Sequence, residues 1–230
     1  MKRFWKLAEA MALPDGRWAV GLDRRTVKTP EKLVLAVPTE AAAQLLAAEW
    51  AAQRDAVNTA TMPLTRLVNV ALDRAPRTRG AMVDEFLRYV CSDLLCYRAA
   101  TPQRLAMTQD ALWGPPLGWV ETTFGAPLET TTGLEALDHD PVSLTALRAA
   151  AEALDDVRLT TLSHATALMG SAVLALAFVH RAMNADGVIA ACRVDETFQN
   201  ETWGTDFEAE AAAAALRAEI EAMERLLHAL

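Results

Sequence analysis

Residues Leu33–Gln53 read LVLAVPTEAAAQLLAAEWAAQ, and within them the chain changes period. Leu33 to Val37 is a short β-rich run closed by Pro38. From Thr39 the pattern is alanine-rich, with Leu45, Leu46 and Trp50 as its apolar positions. A strand alternates sides every residue, whereas a helix returns to the same face after about 3.6 residues. Thr39 therefore reads as the N-cap of a helix over Glu40–Gln53, its hydroxyl accepting from a first-turn N–H. The change of period predicts an α+β protein: a small N-terminal antiparallel β domain, residues 1–38, followed by a larger all-helical domain, residues 39–230.

Upstream, the strand signals are consistent. Arg3 to Met11 opens the region, and Pro14-Asp15-Gly16 is turn chemistry. Arg17 to Leu22 alternates, a tight turn falls near Asp23, and Thr26 to Thr29 is a short strand ended by Pro30. Downstream, the spacing predicts helices near 64–74, 79–96, 102–112, 116–124, 142–154, 158–183, 187–203 and 206–228. Pro115-Pro116 separates the fourth from the third, since proline cannot continue a helix. Gly125 to Pro141 reads as a long loop, with Asp138-His139-Asp140 as a solvated triplet within it. Ala165 to Val179, ATALMGSAVLALAFV, is the most apolar segment. It is shorter than the roughly 20 residues a membrane span needs, and so reads as a buried core helix. Ala167, Ser171 and Ala175 form a small-residue ridge on it, which would admit a close neighbour.

Asp186 to Ala215 carries the candidate site. At about 100° per residue, Ile189, Cys192, Glu196, Gln199 and Trp203 share one stripe of the helix predicted over 187–203. A carboxylate and an amide are thus set among apolar groups. A buried Glu196 would need a partner or a raised pKa; the plain alternative is a register that leaves it at the rim. After Trp203-Gly204, Thr205 with Glu208 forms a capping box for the last helix.

Composition narrows the function. The chain is 52% apolar, with mean hydropathy +0.11, ample for a core. Three cysteines without a CxxC pair argue against a disulfide framework and for a reducing compartment; all three read as small core residues. The net charge of −8 hides a basic start, because all four lysines lie within the first 32 residues. An acidic body disfavours nucleic acid as a partner and suits a basic protein surface. Met1-Lys2-Arg3 leads into Phe-Trp-Lys rather than an apolar run, so no secretory signal is read.

Little assembles as catalytic chemistry. His164 and His180 lie about 160° apart around one predicted helix. Gly170-Ser171 lacks the nucleophile-elbow pattern, and Ser171 reads as a packing residue. There is no phosphate loop, no dinucleotide fingerprint and no zinc-protease motif. Asp93 could pair with Arg98 if a helix ended between them. No cofactor and no metal is expected. On residue chemistry an interaction protein outranks an enzyme; the alternatives are a helical enzyme using Glu196 as general base in a pocket, with Tyr97 or His164 nearby, and an adaptor for another partner.

Six segments in register carry a resemblance. They are Leu22-Asp23-Arg24-Arg25-Thr26-Val27-Lys28-Thr29-Pro30; Ala48-Glu49-Trp50; Thr61-Met62-Pro63-Leu64-Thr65-Arg66-Leu67 with Asn69 and Asp73; Asp93-Leu94-Leu95-Cys96-Tyr97-Arg98; Gly170-Ser171; and Asp195-Glu196 with Phe198-Gln199 and Trp203-Gly204. In order and spacing the chain resembles the F1-ATP synthase assembly chaperones that hold the free alpha subunit, over nearly its whole length. The resemblance implies a small β domain before a helical one, no catalytic activity, and a partner-binding role. The family's acidic position falls on Asp195 or Glu196, with Gln199, Trp203, Asp206 and Trp50 as further partner-binding candidates. It implies a monomer in the bacterial cytoplasm, or the mitochondrial matrix for eukaryotic relatives, shielding the F1 alpha subunit until the alpha/beta ring assembles. One departure stands out: the family usually has glycine where this chain has Arg24, so a left-handed turn there would be strained.

Overall fold

A computed structural model describes residues 2–204 and 207–230. Its elements are β1 (Ala8–Ala12), β2 (Trp18–Leu22), β3 (Arg25–Thr26) and β4 (Ala36–Val37), then α1 (Glu40–Ala51), α2 (Pro63–Asp73), α3 (Ala75–Cys91), α4 (Gln103–Phe124), α5 (Pro141–Glu152), α6 (Asp156–Met169), α7 (Ala172–Val179), α8 (Ala185–Cys192), α9 (Val194–Trp203) and α10 (Phe207–Ala229). The predicted α+β order, a small antiparallel sheet followed by helices, is the order observed. Two compact units divide between Thr78 and Arg79, with Glu221–Leu230 returning to the first. The change of period at residues 38/39 thus lies inside the first unit.

In the first unit β2 is the hub, antiparallel to β1, β3 and β4. The β2–β3 connection places Asp23 at φ 47° and Arg24 at φ 67°. Arg24 therefore occupies the left-handed region without glycine's freedom, which costs on the order of 1–2 kcal/mol. Asp23 holds the turn by accepting from the N–H groups of Lys6 (3.1 Å) and Leu7 (2.9 Å).

Carboxylates from distant positions hold the rest of this unit. Pro63 opens α2, and Met62 gives it no side-chain cap. Glu49 of α1 substitutes, accepting from Leu64 N–H (2.8 Å) and Thr65 N–H (2.7 Å), so two of the helix's unmet donors are satisfied. Asp73, near the far end of α2, accepts from the Thr29 hydroxyl (2.5 Å) and Glu31 N–H (3.1 Å), and so fixes the turn that connects β3 to β4. Thr39 caps α1 as predicted, accepting from Ala42 N–H.

The second unit is helical and centres on α7, buried at all eight positions. A helix apolar on every side belongs in a core. The predicted single helix over 158–183 is broken, however. Gly170 ends α6 at φ 68°, and Ser171 caps α7 by accepting from Leu174 N–H. A left-handed glycine followed at once by an N-cap is a stop and a restart, so the Ala167–Ser171–Ala175 ridge does not form. Asp93, fully buried, accepts from the Ser171 hydroxyl (2.8 Å), Leu95 N–H (3.0 Å) and Val173 N–H (3.0 Å). Its partner is thus the start of α7 and not Arg98, and Ser171 is a cap rather than a packing residue.

Three further expectations are corrected. α4 runs unbroken through Pro115-Pro116. Gln109, Trp113, Pro116 and Val120 form one buried stripe across the prolines, and burial on both sides outweighs the missing N–H groups. In the Asp138-His139-Asp140 triplet, His139 is buried and accepts from Glu129 N–H at Nδ1 (3.2 Å). Burial lowers its pKa. Asp140 is the N-cap of α5. Cys91 is exposed rather than core. No described helix is long and apolar enough to cross a membrane.

Candidate functional site

The helix predicted over 187–203 is two helices. Arg193, at φ −112° and ψ 14°, ends α8 and precedes α9. The break divides the five-residue stripe. Ile189 is buried and Cys192 half-buried, while Glu196, Gln199 and Trp203 remain together as an exposed face of α9. Glu196 is 61% exposed and pairs with Arg193 at 2.9 Å, one turn before it. The rim register, and not the buried one, describes this residue. Trp203 is 78% exposed, an unusual position for so large an apolar ring.

Asp195 points elsewhere. It accepts from Gln109 Nε2 at 2.7 Å, while Gln109 Oε1 accepts from Ala99 N–H at 2.7 Å. Gln109 is 2% exposed, so its amide is a buried coupler between the Asp195 carboxylate and the start of the α4 segment. One turn on, Gln199 joins Asp195 in lining a groove of about 340 Å³, with Tyr97, Arg98 and Leu134 on the other sides. Arg98 is held in place: Nε donates to the Leu95 carbonyl (2.8 Å), a terminal nitrogen reaches Asp110 (2.7 Å), and the guanidinium lies 5.4 Å from the Trp113 ring centroid. Trp113 in turn donates to the Ala191 carbonyl at 2.8 Å, locking α4 to α8.

A second groove, about 240 Å³, lies between α4 and α9, floored by Leu112, Val194 and Phe198. Arg104 crosses it, pairing with Glu201 and covering the Phe198 ring at 5.6 Å. Two exposed large apolar side chains lie nearby: Met107 on the outer face of α4, and Leu134 on the wall of the first groove. The exposed charge is mainly acidic. Asp110, Glu196 and Glu201 are open to solvent; of the arginines paired with them, Arg98 and Arg193 are mostly covered and Arg104 is exposed. An apolar face with an acidic rim can cover an apolar surface that carries cations.

Asp195, Glu196, Gln199 and Trp203 are therefore one neighbourhood. Asp206 lies outside the described residues, as does Thr205 of the expected capping box. Trp50 belongs to the first unit, where it is 8% exposed and packed edge-on against Trp5 at 5.4 Å; it is a core residue there. The general-base alternative placed Glu196 in a pocket with Tyr97 or His164 nearby, whereas Glu196 is 61% exposed. Tyr97 instead accepts from Leu137 N–H through its hydroxyl (3.3 Å), and His164 pairs with Glu219 (3.1 Å). Among the described residues no group of three His, Cys, Asp or Glu side chains could hold a metal ion. Gln109 and Arg104 were not foreseen. Gln109 carried a signal, a lone amide on the apolar stripe of α4.

The comparisons agree with this architecture. The family model described as ATP12 chaperone protein matches residues 2–121. The mitochondrial protein atp12 of Schizosaccharomyces pombe is 23% identical over 216 residues, covering 89% of this chain and 74% of its own length. The crystal structure of Atp12 from Paracoccus denitrificans superposes with a TM-score of 0.90 at 39% identity, covering 99% of this chain and 97% of that one. An aspartate-to-lysine mutant of the same protein matches equally well. Atu1473 from Agrobacterium tumefaciens matches with a TM-score of 0.92 at 33% identity, over 99% of this chain and 85% of that one. Sequence and fold agree along almost the entire length, and the chain belongs to the ATP12 chaperone family, the ATP synthase assembly chaperones.

Proposed function

We propose that this chain binds the free alpha subunit of the F1 ATP synthase and covers its ring-forming surface until the alpha/beta ring assembles. The observation that carries the reading is the α9 face, where Trp203 stands 78% exposed in line with Glu196. A free ring subunit presents apolar surface that would otherwise aggregate. Trp203, Met107 and Leu134 supply apolar cover, and the acidic rim pairs with cations on the client. The protein acts by binding, as a monomer in the bacterial cytoplasm, and not by catalysis. Release follows from mass action, provided the chaperone contact is weaker than the final subunit contact.

Light scattering of refolding alpha and beta subunits, with and without the chaperone, tests this. Aggregation of alpha is suppressed without ATP, and beta is protected far less. Equal protection of the two subunits refutes the assignment of the client.

A further inference from the structure

β1 is an edge strand, pairing with β2 and with no other described strand. Its ladder has a definite phase. Asp23 N–H donates to the Leu7 carbonyl (3.0 Å) at one end, and Leu13 N–H donates to the Arg17 carbonyl (2.8 Å) at the other. Bonded and non-bonded pairs alternate along an antiparallel ladder, so the bonds fall on Glu9↔Gly21 and Met11↔Ala19. Ala8, Ala10 and Ala12 thus turn their N–H and C=O groups outward, where no described group meets them.

A groove of about 420 Å³ runs beside this edge, with Ala8 and Ala10 on the strand side and Gln44, Ala47, Ala48 and Ala51 on α1. The α1 residues recur at helical spacing on one face. Their small side chains leave room for a backbone beside the strand. Five extended residues span about 17 Å and the twelve residues of α1 about 18 Å, so strand and helix are of matching length, and the groove opens beside Ala8–Ala10. Soluble proteins commonly blunt such edges with lysine, proline or a bulge. β1 is AEAMA in unbroken register, without lysine, proline or a bulge; Glu9 is its one charged side chain, and α1 flanks the groove without filling it. Glu9 and Glu40 also line the groove, giving it an acidic character.

We infer that this edge is a β-augmentation site that takes an extended, cationic peptide segment of a partner protein. The segment pairs with Ala8, Ala10 and Ala12 through its backbone, turns small or β-branched side chains toward α1, and sets a lysine or arginine against Glu9 and Glu40. The site is independent of the α9 face and stands whichever ATP synthase subunit is the client.

The test uses the full chain labelled with nitrogen-15 and the capped peptide Thr-Val-Arg-Val-Thr. Titration moves the amide resonances of Ala8, Ala10 and Ala12 saturably. A peptide N-methylated at the amides that face β1 gives no such shifts. Ala10→Pro weakens binding at least about tenfold while leaving the β1–β2 ladder intact, because the Ala10 N–H is not part of it. Ala48→Trp does the same by filling the groove without touching the edge. Absence of saturable shifts at millimolar peptide overturns the inference, as does undiminished binding of the N-methylated peptide. Shifts of the same amides with protein concentration alone, in the absence of peptide, overturn it too, since a second copy would then be the occupant.

Discussion

Replacing Asp93 isolates the energetics of the second unit's centre. The side chain is fully buried and accepts from three donors: the Ser171 hydroxyl and the N–H groups of Leu95 and Val173. Alanine leaves all three without a partner. Each stranded buried donor costs about 1–3 kcal/mol, offset in part because a buried carboxylate is also removed, for a net loss of about 3–5 kcal/mol. Asp93→Asn keeps the shape and one acceptor oxygen, and so costs less. Burial, opposed by the Val173, Leu95 and Ser171 donors, raises the Asp93 pKa to about 6, against about 3.9 in the unfolded chain. Between these values the folded state holds more protons than the unfolded one, so wild-type stability falls as pH rises through the window. The fall totals about 3 kcal/mol, and the asparagine variant lacks it. Urea denaturation of both proteins from pH 4 to pH 7 reads the difference, since the other carboxylates cancel between them. The deficit of the asparagine variant is largest near pH 4 and shrinks toward pH 7. A difference independent of pH, or one that grows as pH rises, shows that the donors outweigh burial and refutes this reasoning.

Four further outcomes follow from named contacts. Glu49→Ala leaves Leu64 N–H and Thr65 N–H unmet at the start of α2, costing about 1–3 kcal/mol, and hydrogen exchange quickens first in that turn. Arg24→Gly relieves the left-handed turn and stabilises by up to about 1 kcal/mol in thermal or chemical denaturation. Glu196→Lys alters only an exposed ion pair with Arg193, so stability changes by less than about 1 kcal/mol, while affinity for the alpha subunit is lost. Asp195→Ala, by contrast, strands the buried Gln109 amide and lowers the melting temperature; intact binding by folded Glu196→Lys would remove the α9 face from the client contact.

The fold was legible where two independent signals coincided. At Pro38-Thr39 the period changed and an N-cap followed, and α1 starts there. The errors came where one signal stood alone. Pro115-Pro116 reads as a break by local propensity, yet Trp113 and Val120 are fully buried on either side, and packing that long stripe keeps α4 whole. Gly170-Ser171 sits within an apolar run whose hydropathy masks a helix stop and a helix start. At Arg193 no proline or glycine marks the break at all. Without it, Glu196 joins Ile189 and Cys192 on one face; with it, Asp195 turns to the buried Gln109 and Glu196 to solvent.

The segments that carried the family resemblance prove to be largely architectural. Glu49 caps α2, Asp73 pins a turn, and Asp93 with Ser171 begins α7. Each is a carboxylate buried or half-buried against backbone donors far away in sequence, and each links two elements that would otherwise meet only through apolar contact. Such positions tolerate little change, because losing the acceptor strands donors that water cannot reach. The proposed contact face obeys a different constraint. Glu196, Gln199 and Trp203 are exposed, and Glu196 pairs one turn back with Arg193 on the same segment, so the fold permits them to vary. Under the proposed function, client contact is a reason for a tryptophan to stand 78% exposed beside carboxylates. If the α9 face is the client contact proposed above, architecture and contact are separable in this chain, and substitutions there change partner binding without dismantling the helices that present it.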